Sequence, residues 1–125
     1  MYEIAVEHSF DAAHCLRDYD GSCRQLHGHT YRVRAAFRAE SLEQTGLAVD
    51  FRAAKRLLKQ TLDYLDHQYI NDLPEFESLN PTAENIAKFI FDRVKGANPL
   101  LFSVSVWETP TSCATYYDHE PDGEL

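Results

Sequence analysis

The sequence holds little that would staple it, anchor it or draw it to a polyanion. Its 125 residues include three cysteines, one methionine and one tryptophan. An odd cysteine count makes no disulfide framework, so free thiols in a reducing, cytoplasmic setting are expected. No apolar run approaches the roughly 18 residues that a membrane-spanning helix needs. The opening stretch carries Glu3, Glu7 and His8 where a signal peptide would place basic and then apolar residues, so none is expected. Positive charge is scarce as well: 12 Lys and Arg against 20 Asp and Glu give a net charge of −8. Such a chain has no general attraction for nucleic acid or a membrane surface, and neither is expected as a partner. An acidic substrate would have to be drawn by a local patch or a metal. With five glycines and five prolines there is no linker, repeat or low-complexity tract, and the composition fits a single domain over residues 1–125. That length supports one core without cross-links. Histidine, by contrast, is plentiful, with six copies.

Hydrophobic periodicity divides the chain into six elements. From residue 2 to 14 it alternates, with Ile4, Val6, His8, Phe10, Ala12 and His14 on one face and Glu3, Glu7, Ser9 and Asp11 on the other. Asp18, Asp20, Gly21 and Ser22 mark a loop. Alternation returns at His27, with His29, Tyr31, Val33, Ala35 and Phe37 on its face and Thr30, Arg32, Arg34 and Arg38 opposite, which predicts an antiparallel return strand. The spacing of Phe51, Ala54, Leu58, Leu62 and Leu65 predicts a helix over 50–65 with Asp50 as N-cap. A second helix is predicted over 82–95, capped by Asn80 or Thr82, with Pro81 in its first turn and Ile86, Phe89, Ile90 and Val94 inward. A third strand places Phe102, Val104, Val106 and Glu108 on one face and Ser103, Ser105 and Trp107 on the other; residues 113–118 form a fourth beyond Pro110. The order β-β-α-α-β-β predicts an α+β fold, a four-stranded antiparallel sheet with two helices on one face. The second sheet face and the edges are left for water or another subunit.

Chemistry concentrates at one end of this sheet. In His27-Gly28-His29 the two imidazoles leave the same face of a strand, and His14 ends the preceding strand on matching parity. If the two strands pair, three histidines meet, the ligand set of a zinc site with an open fourth position. Chance HxH pairing and an ordinary strand-end His14 remain the bland alternative. His8 sits far along the strand and reads as structural. Cys23, four residues before His27, is a fourth ligand, a base beside an open metal, or a plain loop cysteine. Cys15 and Cys113 read as bystanders. Asp66-His67 closes the first helix, where a histidine is either a dipole-favoured helix end or a ring oriented by its neighbouring carboxylate. Glu108 points toward apolar surroundings and needs a donor or a ligand's N–H groups. Glu84, in the first turn of the second helix, is explained by the dipole alone.

Six stretches now fall into a known order: Phe10-Asp11-Ala12-Ala13-His14, Cys23-Arg24-Gln25-Leu26-His27-Gly28-His29, Val49-Asp50-Phe51, Leu65-Asp66-His67, Pro81-Thr82-Ala83-Glu84-Asn85 and Trp107-Glu108-Thr109. Across nearly its whole length the chain resembles the superfamily of 6-pyruvoyltetrahydropterin and 6-carboxytetrahydropterin synthases. The resemblance implies the tunnelling fold (T-fold), in which three subunits close their sheets into a barrel and two trimers stack as a homohexamer. It implies Zn2+ on His14, His27 and His29, Cys23 as catalytic base, Asp66 and His67 as a proton relay, and Glu108 as pterin anchor assisted by Glu84 and Thr82. Three residues separate Cys23 from His27, where the 6-pyruvoyl enzymes usually have five; together with Val49-Asp50-Phe51 this looks like the bacterial 6-carboxy type. The implied reaction converts 7,8-dihydroneopterin triphosphate to 6-carboxytetrahydropterin, acetaldehyde and triphosphate in queuosine biosynthesis. The alternative is 6-pyruvoyl formation without carbon–carbon cleavage. Arg17, Arg24 and Lys55 are the cations available for the triphosphate. Two other classes fit the same histidines, a zinc hydrolase and a structural zinc module closed by Cys23.

Overall fold

Both alternating stretches are strands, and they pair with each other without interruption. In the computed structural model, which describes residues 1–18 and 25–118, β1 (Tyr2–His14) runs antiparallel to β2 (His27–Ala39) from Tyr2↔Ala39 to His14↔His27. The inward parity buries Val6, Phe10 and His14 from β1 against Tyr31, Val33, Ala35 and Phe37 from β2. Helix α1 (Phe51–Asp63) begins where the Asp50 carboxylate accepts the Arg52 N–H at 2.9 Å, and it buries Ala54, Leu58 and Leu62. Helix α2 (Ala83–Ala97) begins at Thr82, whose hydroxyl oxygen accepts the Asn85 N–H at 3.1 Å. It turns Ile86, Ala87, Ile90, Phe91 and Val94 inward. α1 packs on β1, while α2 packs on β4 (Leu101–Thr109) and β5 (Ser112–Tyr117). Each large side chain buried completely in this layer contributes roughly 1.5–3 kcal/mol.

Three expectations change. The sheet has five strands in the order β3-β1-β2-β4-β5, and the added strand, β3 (Gln68–Tyr69), is parallel to β1. Two residues carry no periodicity. The pairing is set up by His67, whose φ of 59° turns the chain and whose N–H donates to the Asp11 carbonyl at 2.6 Å. Phe102 does not join the Val104 face. A bulge lets Leu101 pair with Phe37 while Ser103 pairs with Ala36, so Leu101 enters the core. Phe102 is left beneath the Arg38 guanidinium, 3.5 Å from its ring centre. Phe51, expected inside, is 56% exposed at the first turn of α1, and Leu65, two residues past the helix end, is fully buried.

The uncovered sheet face carries ion pairs: Arg32 with Glu7 at 3.2 Å, and Arg34 and Arg38 with Glu3 at 3.5 and 2.9 Å. Exposed pairs of this kind add little to stability. The segment leaving β1 is held more firmly. The Asn71 and Asn80 side chains each exchange two hydrogen bonds with the backbone, at Cys15 and Arg17 respectively.

Candidate metal and pterin site

The β1–β2 register sets His14 opposite His27 and Ala12 opposite His29, so both strands aim imidazoles into one corner. The ligating nitrogens of all three lie within 4.8 Å of one another. His14, fully buried, donates from Nδ1 to the Pro81 carbonyl at 2.7 Å, and His27 donates from Nδ1 to the Gln25 carbonyl at 2.6 Å. Those two bonds fix the tautomer, because a carbonyl can only accept. Each Nε2 therefore presents a lone pair, and the two Nε2 atoms stand 3.0 Å apart. Among the described residues the buried Nε2 of His29 has no hydrogen-bond partner. Burial also holds His14 and His29 below the ordinary imidazole range, although Glu108 acts the other way. Neutral rings whose lone pairs converge repel one another unless a cation sits among them. The donor set is that of zinc with three protein ligands, and the residues fit it.

Glu108 continues the Val104 and Val106 parity and reaches the same corner. Its Oε1 is 3.3 Å from His14 Nε2 and 4.0 Å from His29 Nε2. It also borders two recesses. The smaller, about 200 Å3, is shared with Ala83, Glu84 and Ser112. The larger, about 530 Å3, extends past His29 to Arg32, Trp107 and Thr109. Beneath the histidines Tyr31 stacks on Phe10, and desolvation pushes its phenol far above the usual range.

Asp66 and His67 form a separate cluster, on the far edge of β1. One Asp66 oxygen accepts the Asp11 N–H at 2.9 Å; the other lies 3.0 Å from His67 Nδ1. The backbone bond from Asp11, more than the His67 ring, keeps the Asp66 carboxyl below its ordinary range. In the turn past α1 the Asp66 N–H still donates to the Leu62 carbonyl at 2.9 Å, which leaves the helix end beside His67. The His67 side chain is 78% exposed. One chain thus gathers the three histidines and Glu108, and keeps the Asp66–His67 pair apart from them.

The remaining candidates divide. Glu84 is exposed and borders the smaller recess with Glu108. Thr82 caps α2 through its oxygen lone pair and keeps its hydroxyl proton available. His8 is exposed, outside the cluster. Cys15 lies 3.0 Å from the Tyr69 hydroxyl, and Cys113 is exposed. Cys23 and Arg24 lie outside the described residues. Arg17, a candidate for the triphosphate, donates from Nη1 and Nη2 to the carbonyls of Asn71, Phe76 and Leu79 at 3.3, 2.8 and 3.3 Å. Lys55 is exposed on α1 and borders neither recess. The cation that does border one, Arg32, was read from sequence only as part of the polar face. Its signal is the cross-strand partner Trp107, visible once the β2–β4 register is known.

Comparison with known proteins accords with this geometry. The family profile described as 6-pyruvoyl tetrahydropterin synthase matches residues 3–119. The chain is 42% identical over 123 residues to the 6-carboxy-5,6,7,8-tetrahydropterin synthase of Synechocystis, covering 94% of each. It is 36% identical over 141 residues to the enzyme of the same name from Haemophilus influenzae, covering 94% of this chain and all of that one. The solved 6-pyruvoyl tetrahydropterin synthase of Caenorhabditis elegans superposes with a TM-score of 0.83 at 30% identity, over 94% of this chain and 97% of that one. This chain belongs to the 6-pyruvoyl tetrahydropterin synthase family.

Proposed function

We propose that this chain is a zinc-dependent carbon–carbon lyase that converts 7,8-dihydroneopterin triphosphate, with uptake of water, to 6-carboxytetrahydropterin, acetaldehyde and triphosphate in queuosine biosynthesis. The observation that carries the reading is the set of three converging imidazole lone pairs beside the Glu108 carboxylate. Zinc held by His14, His27 and His29 would act as a Lewis acid toward the substrate's side-chain hydroxyls. Glu108, an acceptor with two oxygens, is suited to the paired N–H groups of a pterin edge. Glu84, which borders the smaller recess with Glu108, and Thr82, the cap of the same helix, would assist that anchor. Cys23 is the base for the side-chain carbon proton. His67, oriented by Asp66, exchanges protons with the hydroxyls.

The relay pair stands apart from the histidines within one chain, which supports an assembly that joins the two between copies. A homohexamer of two stacked trimers would do so, enclosing the uncovered Arg32 and Arg34 face as a tunnel. Among the described residues no helix is long and apolar enough to cross a membrane, and we place the enzyme in the cytoplasm.

Incubation with 7,8-dihydroneopterin triphosphate followed by chromatography tests the reaction. The expected products are 6-carboxytetrahydropterin and acetaldehyde in equal amounts. A 6-pyruvoyl product without acetaldehyde would assign the chain to the other branch of its family.

A further inference from the structure

We propose that Asn80 is a positioning residue for His14, because it fixes the Pro81 carbonyl to which that ring donates. This step rests on zinc being held by the three histidines, as proposed above. The two tethered rings are held in different ways. His27 donates from Nδ1 to the Gln25 carbonyl, two residues earlier in the chain, so local geometry is enough. His14 donates to a carbonyl 67 residues away, in the stretch before α2 that belongs to neither helix nor strand. No ladder holds that stretch. Pro81 also lacks an N–H, so it cannot anchor itself through its own amide. The place of its carbonyl therefore depends on the residues beside it.

Asn80 ties that place down in two directions. Its side chain brackets the backbone of Arg17: Oδ1 accepts the Arg17 N–H and Nδ2 donates to the Arg17 carbonyl, each at 2.9 Å. Its own carbonyl accepts the Thr82 N–H and the Asn85 side-chain amide, also at 2.9 Å each. Thr82 in turn caps α2. The start of α2 is thus fastened to the chain leaving β1 at both His14 and Arg17, with buried Pro81 between the fastenings. The Arg17 guanidinium adds a bond to the carbonyl of Leu79, the residue before Asn80, at 3.3 Å. A fixed acceptor at Nδ1 holds the ring, and with it the Nε2 lone pair, in the orientation a metal needs. Without the bracket, the carbonyl and the ring that follows it lose that fixed direction.

Zinc affinity measured by competition with a chelator, beside the urea midpoint of the same protein, tests the assignment. Asn80→Ala should lower zinc affinity roughly tenfold or more, the scale of a lost outer-shell partner. At saturating zinc it should still bind one ion per chain. Asp50→Ala is the control for stability, since it removes the cap of α1 and borders neither recess. It should lower the urea midpoint and leave zinc affinity unchanged. Should Asn80→Ala fold poorly without metal, the rate of zinc release from loaded protein to chelator reads the same defect, and it should rise by a similar factor. Folded Asn80→Ala that holds zinc as tightly as unaltered protein would overturn the proposal. Equal losses of affinity in Asn80→Ala and Asp50→Ala would overturn it too, by tracing the effect to stability alone. Unaltered protein that binds no zinc would defeat the proposed function and this assignment together.

Discussion

His14, His27 and His29 are held from inside the fold, whereas His67 stands outside it. The first three are positioned by strand register, tied through Nδ1 to carbonyls at two positions, and kept neutral by burial at two. His67 occupies a left-handed turn with its ring largely in solvent and a single carboxylate to orient it. The contrast separates two chemical tasks. A metal ligand has to be fixed and neutral before the ion arrives, because its lone pair is the whole of its function. In the proposed reaction His67 carries protons for a substrate held by a neighbouring copy, and its exposure is what such a role would require.

The largest effect expected from this contrast is on the metal. His14→Ala, His27→Ala and His29→Ala should each reduce bound zinc from one per chain to near none by elemental analysis, since three ligands leave no redundancy. Zinc retained in full by any one of them would remove that histidine from the site. Cys23→Ala should keep its zinc and lose turnover by roughly 100-fold or more, the scale of a lost general base. Zinc lost along with turnover would make Cys23 a ligand instead.

The exposed pair offers a sharper division. His67→Ala should keep zinc and lower turnover by about 100-fold, and Asp66→Asn by less, because the ring survives without its orienting charge. If the pair serves a neighbouring copy, mixed assemblies of His14→Ala and His67→Ala subunits should recover activity that neither has alone. Mixed assemblies as inactive as their parents would place the relay in its own chain's site.

The smallest effect concerns stability without metal. His14 and His29 are held below the ordinary value of 6.5 chiefly by desolvation. As pH falls through that value the unfolded chain takes up protons that the folded chain resists. Their contribution to stability is complete above about 6.5 and is lost on acidification toward the depressed folded values. The urea midpoint of metal-free protein should therefore drop between about pH 7.5 and 5, less steeply in His29→Ala. A midpoint independent of pH would mean the rings charge freely in place.

The legible parts of this molecule are those where one residue's parity decides its surroundings. The facing of His14 and of His27 and His29 followed from alternation alone, as did Glu108 beyond Val104 and Val106, and Asp50 took the cap its position suggested. Alternation fails where a single extra residue shifts it, and the bulge beside Phe102 did so. It is silent over two residues, which hid β3. Long-range partners were hidden as well: the carbonyls of Asn71, Phe76 and Leu79 that occupy Arg17, and the indole that stacks on Arg32, come from elements far away in sequence. The sheet edge of β1 drew in His67 through a backbone bond that no side-chain pattern announces.

X-ray absorption at the zinc edge, on protein as purified, tests the central claim most directly. Three imidazole nitrogens and one oxygen, with no sulfur, are the coordination expected of an open site with Cys23 standing free of the metal. A sulfur neighbour at about 2.3 Å would mean that the thiol closes the site, and the catalytic reading of the histidine cluster would fail.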